Sequence, residues 1–313
     1  MLRVISAGAL CTIQDLGRTG YQRFGVPLGG AMDRAACVIA NRLVGNPPDA
    51  ACLEITGPGA AFEVLAPCVI ALAGADLGAT FRGRALPPWM AHYLAGRGEL
   101  AFEGRRWGAR AYLALAGGID LPPVLGARST YLPGEFGGLA GRALRAGDVI
   151  TAQPAGDLAR RAGRIWPTPL DYAPQVRVLP FDGPVPDALI AHAWQVGTQS
   201  NRIGLRLSGP QIEIDQPHAR DSFGVFPGVI QLPPDGQPIL LTADAQPTGG
   251  YPVIAIAIQA DLHRVAQVLP GDALRFVPTT FEEAVDAWRR LQALLALPVE
   301  EDEGTALAAR AGG

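Results

Sequence analysis

The chain has 313 residues, of which 49% are hydrophobic, with 39 Gly and 28 Pro; it is turn-rich, yet it carries enough apolar sequence to bury a core, and its length suggests two domains. Every one of its 26 basic residues is Arg; without lysine there is no Schiff base, no lysine-borne PLP or biotin and no P-loop lysine, and any cationic clamp is an arginine suited to carboxylate or phosphate. The net charge of −3 comes with no basic run, which excludes nucleic-acid tracking, and no apolar run reaches the roughly 18 residues of a spanning helix.

In chain order, the first helical pattern is Met32 to Val44, with Ala36, Ile39, Ala40 and Leu43 on one face and Gly45 as its stop. Short apolar runs ending in glycine turns follow, among them Val69 to Ala73 and Ala111 to Ala116. Residues 153–175 hold four prolines and little periodicity, and read as an interdomain connection. Beyond it come strand-like runs at Val176–Leu179, Ile239–Ala243, Val253–Ile258 and Ala273–Val277. Asp261 reads as the cap of a short helix. Thr280 and Glu283 form a capping box for a last helix, whose stripe is Phe281, Ala284, Val285, Trp288, Leu291 and Leu295.

This pattern predicts a mainly β protein of barrels or sandwiches. Its parts are a first domain over 1–152, a linker over 153–175, a second domain over 176–298 and a disordered tail over 299–313. Leu144-Arg-Ala-Gly-Asp148 echoes Leu269-Pro-Gly-Asp272, an echo that fits either a duplication or a common turn. Cys11, Cys37, Cys52 and Cys68 lack zinc or redox spacing and read as buried thiols of a cytoplasmic protein; the N-terminus has no signal-peptide pattern. His92, His192, His218 and His263 are isolated, and no metalloprotease, serine-elbow or P-loop motif occurs, so no metal site is expected.

The chemistry-bearing residues lie in glycine-dense segments. Thr12 to Tyr21 gathers Gln14, Asp15, Arg18 and Tyr21 around two glycines, which is either a surface turn or a ligand loop. Gly126 to Arg142 offers amides and hydroxyls that suit an anion. Ser200 to Arg206, if extended, places Arg202, Gly204 and Arg206 on one strand face. Ala243 to Tyr251 brings Asp244 and Thr248 to a double glycine, where backbone can approach a ligand closely.

Thr12-Ile-Gln-Asp-Leu-Gly-Arg18, Gly30-Ala-Met-Asp33, Ala40-Asn-Arg-Leu-Val-Gly-Asn46, Leu125-Gly-Ala-Arg-Ser-Thr130, Ser200-Asn-Arg-Ile-Gly204, Gly228-Val-Ile-Gln-Leu-Pro233 and Thr248-Gly-Gly-Tyr-Pro252 occur in order. Together they resemble the biotin-dependent carboxyltransferase family, which includes 5-oxoprolinase C subunits, KipA-like regulators, allophanate hydrolase subunit 2-like proteins and the carboxyltransferase region of urea carboxylase. The resemblance implies two tandem cyclophilin-like β-barrel domains and an enzyme, an ATP-dependent lactam hydrolase opening 5-oxoproline to glutamate. It implies two partners, a KipI-like B subunit with an A subunit, and ATP with magnesium at the level of the complex. Two alternatives are carboxyl transfer to urea from biotin on a separate carrier, and a non-catalytic KipA-like regulator. The implied catalytic residues are Asp244, Asp15 and Tyr251. Substrate would be bound by Gln14, Arg18, Asp33, Asn41, Arg202, Thr248, Gly249 and Gly250. Pro247 and Val253 depart from the family's usual hydroxyl and basic residues at those points.

Overall fold

The computed structural model describes residues 1–214 and 221–301. His218 and the tail from residue 302 lie outside the described residues. The contacts divide the chain into two compact units, neither of them one continuous stretch. Unit 1 holds Met1–Gly17, Asp33–Leu170 and the chain from Leu295; unit 2 holds Arg18–Met32 and Asp171–Leu294.

Unit 1 carries strands β1 (Leu2–Ala7), β2 (Leu10–Gln14), β3 (Cys52–Thr56), β4 (Ala60–Val64), β5 (Cys68–Asp76) and β6 (Ala79–Phe81). It continues with β7 (Arg84–Ala85), β8 (Met90–Leu94), β9 (Gly98–Phe102), β10 (Trp107–Leu115), β11 (Val149–Ile150) and β12 (Arg164–Ile165). One sheet has the order β11-β1-β4-β9-β6-β7, and the other begins β2-β3-β10-β5-β8-β12. Leu2, Val4, Phe62 and Val64 from the first sheet and Ile13, Leu53, Ile55, Leu72 and Leu113 from the second share one core. β1 alternates buried and exposed residues, as a strand with one wet face should, whereas β3 is buried on both faces. The cover on that second face is α1 (Arg34–Leu43), which packs on β10, β5, β8 and β3. Ala71, Ala73 and Ala114 occupy the opposite face from Leu72 and Leu113 and let the helix approach closely. The predicted stripe of α1 is fully buried. The helix starts at Arg34 and not at Met32, because Asp33 caps it by accepting from the Ala36 amide at 2.9 Å.

Unit 2 carries β13 (Gln175–Pro180), α2 (Asp187–Ala191), β14 (Ala193–Val196), β15 (Gly204–Ser208), β16 (Phe223–Gly224), β17 (Val229–Gln231) and β18 (Ile239–Leu241). β19 (Thr248–Gly249), β20 (Val253–Ala257), α3 (Leu262–Val265), β21 (Ala273–Pro278) and α4 (Phe281–Leu295) follow. Seven of these strands close a barrel in the order β13-β20-β17-β18-β15-β14-β21. The seam is the parallel pair β13 and β21, while the other pairs are antiparallel. Val176, Val178, Trp194, Ile230, Leu240 and Phe276 fill it. β16 and β19 form a separate two-stranded ribbon. Finally β22 (Glu300–Glu301) pairs with β12 at the edge of the second sheet of unit 1, so these two residues, expected in a disordered tail, are strand. Within the stretch read as a connection, β12 pairs with β8 and Trp166 is buried.

Two helical expectations change. The capping box of α4 forms, with the Thr280 amide donating to Glu283 at 3.0 Å and the Glu283 amide to the Thr280 hydroxyl at 3.2 Å. Its apolar stripe, however, docks through small residues. Ala284 and Ala287 pack on Leu179, Ile258 and Ala260, leaving Phe281 73% and Trp288 36% exposed. Asp261 makes no cap bond. Its carboxylate accepts from the Arg177 side chain at 2.9 and 2.6 Å and from the Arg177 amide at 2.9 Å.

The echoed turns match in geometry. The Asp148 carboxylate accepts the Arg145 amide at 2.9 Å, and that of Asp272 accepts the Leu269 amide at 2.8 Å. Gly147 and Gly271 both have positive φ, 90° and 93°. All four cysteines are free thiols, three of them buried. Among the described residues no helix is long and apolar enough to cross a membrane.

Candidate active site

Unit 2 gathers three of the candidate residues into one buried polar cluster. The loop before β15 supplies Arg202 and the loop after β18 supplies Asp244, and the two loops are joined by the Asp244 amide donating to the Arg202 carbonyl at 2.8 Å. Their side chains form a two-pronged pair, Nε to Oδ2 at 2.9 Å and Nη2 to Oδ1 at 3.0 Å. Both are nearly inaccessible, at 4% and 1%, and in such a setting the planar fork of arginine holds a carboxylate in one orientation. Arg202 Nη2 also donates to the carbonyl of Gly30, and the Gly29 amide donates to the Ala243 carbonyl at 3.1 Å. Arg18 completes the group. Its amide donates to the Leu28 carbonyl at 2.8 Å, and its buried guanidinium runs beside Gly29. Gly29 has φ 63°, and a Cβ there would stand 3.3 Å from Arg18 Nη1 and 3.6 Å from Asp244 Oδ1. Glycine therefore lets the chain turn and brings two cations and a carboxylate around one stretch of backbone.

The candidates in unit 1 are held differently. Asp15 accepts from the Gly17 amide at 2.8 Å, from the Arg128 amide and from the Ser129 hydroxyl. The Gly126 to Arg142 loop, read as anion-binding, thus holds an anion from its own chain. Gln14 Nε2 donates to Thr12 Oγ1 at 3.0 Å and to the Thr130 carbonyl at 3.1 Å. The Asp33 amide donates to Tyr112 Oη at 2.7 Å, and that hydroxyl donates to Glu54 at 2.7 Å. Burial, and then the Glu54 charge, push the Tyr112 hydroxyl well above its usual range, so it stays protonated. Asn41 donates to the Ala50 carbonyl at 2.6 Å and accepts from Asn46 at 3.1 Å, while Asn46 accepts from the Gly117 amide at 2.9 Å. These bonds pin α1 to its neighbours. Tyr112 escaped the sequence reading because an alternating strand does not reveal which polar residue lies under a helix.

Thr248 and Tyr251 are exposed, in the loop that begins at Asp244. Thr248 pairs with Gly224 and Gly249 with Phe223 in the ribbon. An open cleft of about 800 Å³ in unit 2 is lined by Phe181, Asp182, Asp221 and Phe223.

The sequence profile of the carboxyltransferase domain, subdomain A and B, matches residues 24–278. The chain belongs to this carboxyltransferase-domain family. Among its relatives, the 5-oxoprolinase C subunit of Escherichia coli (strain K12) is 40% identical over 92% of this chain and 94% of the relative. The 5-oxoprolinase C subunit of Haemophilus influenzae is 33% identical over 93% and 95%. Among solved structures, the urea amidolyase of K. lactis superposes with a TM-score of 0.84 at 29% identity, covering 94% of this chain. The chain spans 20% of that larger protein. For this family member the mainly β architecture with a closed barrel and a C-terminal helix is as the sequence led one to expect.

Proposed function

We propose that the chain is the C subunit of a 5-oxoprolinase, opening the lactam of 5-oxoproline to glutamate with ATP and with its A and B partners. The observation that carries this reading is the 40% identity to the Escherichia coli C subunit, which runs through nearly the whole of both chains. The buried cluster of unit 2 has the matching chemistry. A 5-oxoproline molecule offers a carboxylate and a planar amide. Arg18 supplies a planar cation for the carboxylate, and Asp244, held by Arg202, supplies an acceptor for the lactam N–H. Asp15 serves as a positioning residue, since its carboxylate fastens the Arg128–Ser129 loop. Tyr251 and Thr248 stand on the exposed turn as the groups that meet substrate from solvent.

Magnesium with ATP is usually held by one or two carboxylates together with the phosphates and water. ATP with magnesium enters this reading at the level of the assembled complex. The test is reconstitution: the purified chain with its A and B partners should release glutamate from 5-oxoproline only when ATP is present. Carboxylation of urea without glutamate release would overturn the reading. That second activity is favoured by the likeness to urea amidolyase. Its biotin would ride on another protein, since no lysine exists here to carry it.

A further inference from the structure

A buried amide nitrogen without a hydrogen-bond partner among the described residues lies beneath the Thr248 to Tyr251 turn. Gln231 ends β17, where Ile230 points into the barrel core, so Val229 and Gln231 face outward. On that outer side Val225, Val229, Leu241, Ala245 and Val253 form a small apolar cluster. Gln231 is opposite Ile239 on one neighbouring strand and Val253 on the other. It is 3% exposed, and its Nε2 has no hydrogen-bond partner among the described residues. That nitrogen is aimed at Gly249, where a Cβ would stand 2.5 Å from it. A side chain at Gly249 would therefore push the end of the Gln231 side chain aside.

An amide donor left unsatisfied in apolar surroundings is destabilising, and a methionine of similar shape would fill the space without that penalty. The physical reason to hold an amide here is a partner that arrives with a ligand. The turn over it begins at Asp244 and is the part of this loop open to solvent, with Thr248 and Tyr251 exposed. Phe223, the ladder partner of Gly249, also lines the open cleft. A small ligand reaching this ribbon meets backbone bare of side chains at Gly249 and Gly250, with the free N–H directly behind it.

We propose that Gln231 is a binding residue whose Nε2 donates to the carbonyl oxygen of a small amide lodged at the Gly249–Gly250 turn. This rests on the reading above for the choice of 5-oxoproline as the amide; the donor chemistry is the same for urea. Gln231→Met in the full chain, assembled with its A and B partners, tests it. The ligand-free chain should melt about 2–4 °C higher, because a strained burial is removed, while KM for 5-oxoproline rises about tenfold. Calorimetric titration of 5-oxoproline and of urea into wild type and variant gives the same comparison without turnover. Gly249→Ala, which pushes the amide aside, should weaken binding in the same way. Equal affinity of wild type and Gln231→Met for both compounds would overturn the proposal. So would a fall in melting temperature alongside weaker binding, since that marks the amide as a structural prop. A complex that carboxylates urea and releases no glutamate would end the oxoprolinase reading alone, with the loss on Gln231→Met then read in urea binding.

Discussion

At the scale of single residues, the pair Arg202 and Asp244 is the one whose removal is most informative. Two charges out of water attract strongly, but their desolvation is large, so such a pair contributes orientation more than stability. Removing one partner leaves the other charged and buried. Arg202→Met should therefore cost about 3–5 kcal/mol, measured as a shift in the urea midpoint of unfolding. Replacing both, as Arg202→Met with Asp244→Leu, should recover much of that loss while abolishing glutamate release by the assembled complex. If the double variant were as unstable as the single one, packing and not charge would govern the site. Arg202→Lys should not restore activity, because an ammonium cannot reproduce the two parallel bonds at 2.9 and 3.0 Å. Sequence could nominate Arg202 and Asp244 as a cation and an acid near glycines. It could not pair them, since 42 positions separate them and the pairing depends on β15 lying beside β18.

At the scale of elements, two local devices make opposite predictions about legibility. The capping box of α4 is written in four consecutive residues, and it forms as read. Thr280→Ala should lower stability by about 1 kcal/mol. Phe281→Ser should change it little, because that ring is 73% exposed; a loss comparable to Thr280→Ala would contradict the packing through Ala284 and Ala287. The stripe was legible as a period, but which part of it touches the barrel was not, because small residues win the contact where two surfaces approach most closely. The clasp between β13 and α3 was not legible at all. Burial pushes the Asp261 carboxyl up, yet the hydrogen bonds from the Arg177 side chain and amide, with the charges of Arg264 and Arg177, outweigh it and hold the pKa below the ordinary value. A carboxyl depressed in the folded state stabilises the protein above its unfolded pKa of about 3.9, and that contribution is lost as pH falls toward the folded value. Asp261→Asn should accordingly be less stable than wild type at pH 7, with the gap closing as pH drops below about 4. A gap that stayed constant across that range in urea titrations would mean the carboxylate's charge is not what holds the clasp.

At the scale of the whole molecule, the strand-rich character, the barrel and the terminal helix were readable because alternation and turn residues are local. The assignment of Arg18–Met32 to unit 2 was not, because nothing in those fifteen or so residues names the remote strands they join. Their role there is specific. The Gly30 carbonyl accepts from Arg202, the Gly29 amide donates to Ala243, and the Arg18 guanidinium lies against the same glycine. A fragment made from residues 171–298 alone would keep every strand of the closed barrel but would leave Arg202 short of one acceptor and the Ala243 carbonyl short of its donor. Buried polar groups stripped of partners are strongly destabilising, so this fragment should melt well below the full chain and with reduced cooperativity. Fusing residues 18–32 to its N-terminus through a flexible linker should raise the melting temperature again. The same fusion with Gly29→Ala should not, because an L side chain is strained at φ 63° and crowds Arg18. If the bare fragment melted as cooperatively and as high as the full chain, the N-terminal segment would be an accessory to the barrel, and the arginine cluster built on it would lose its structural basis.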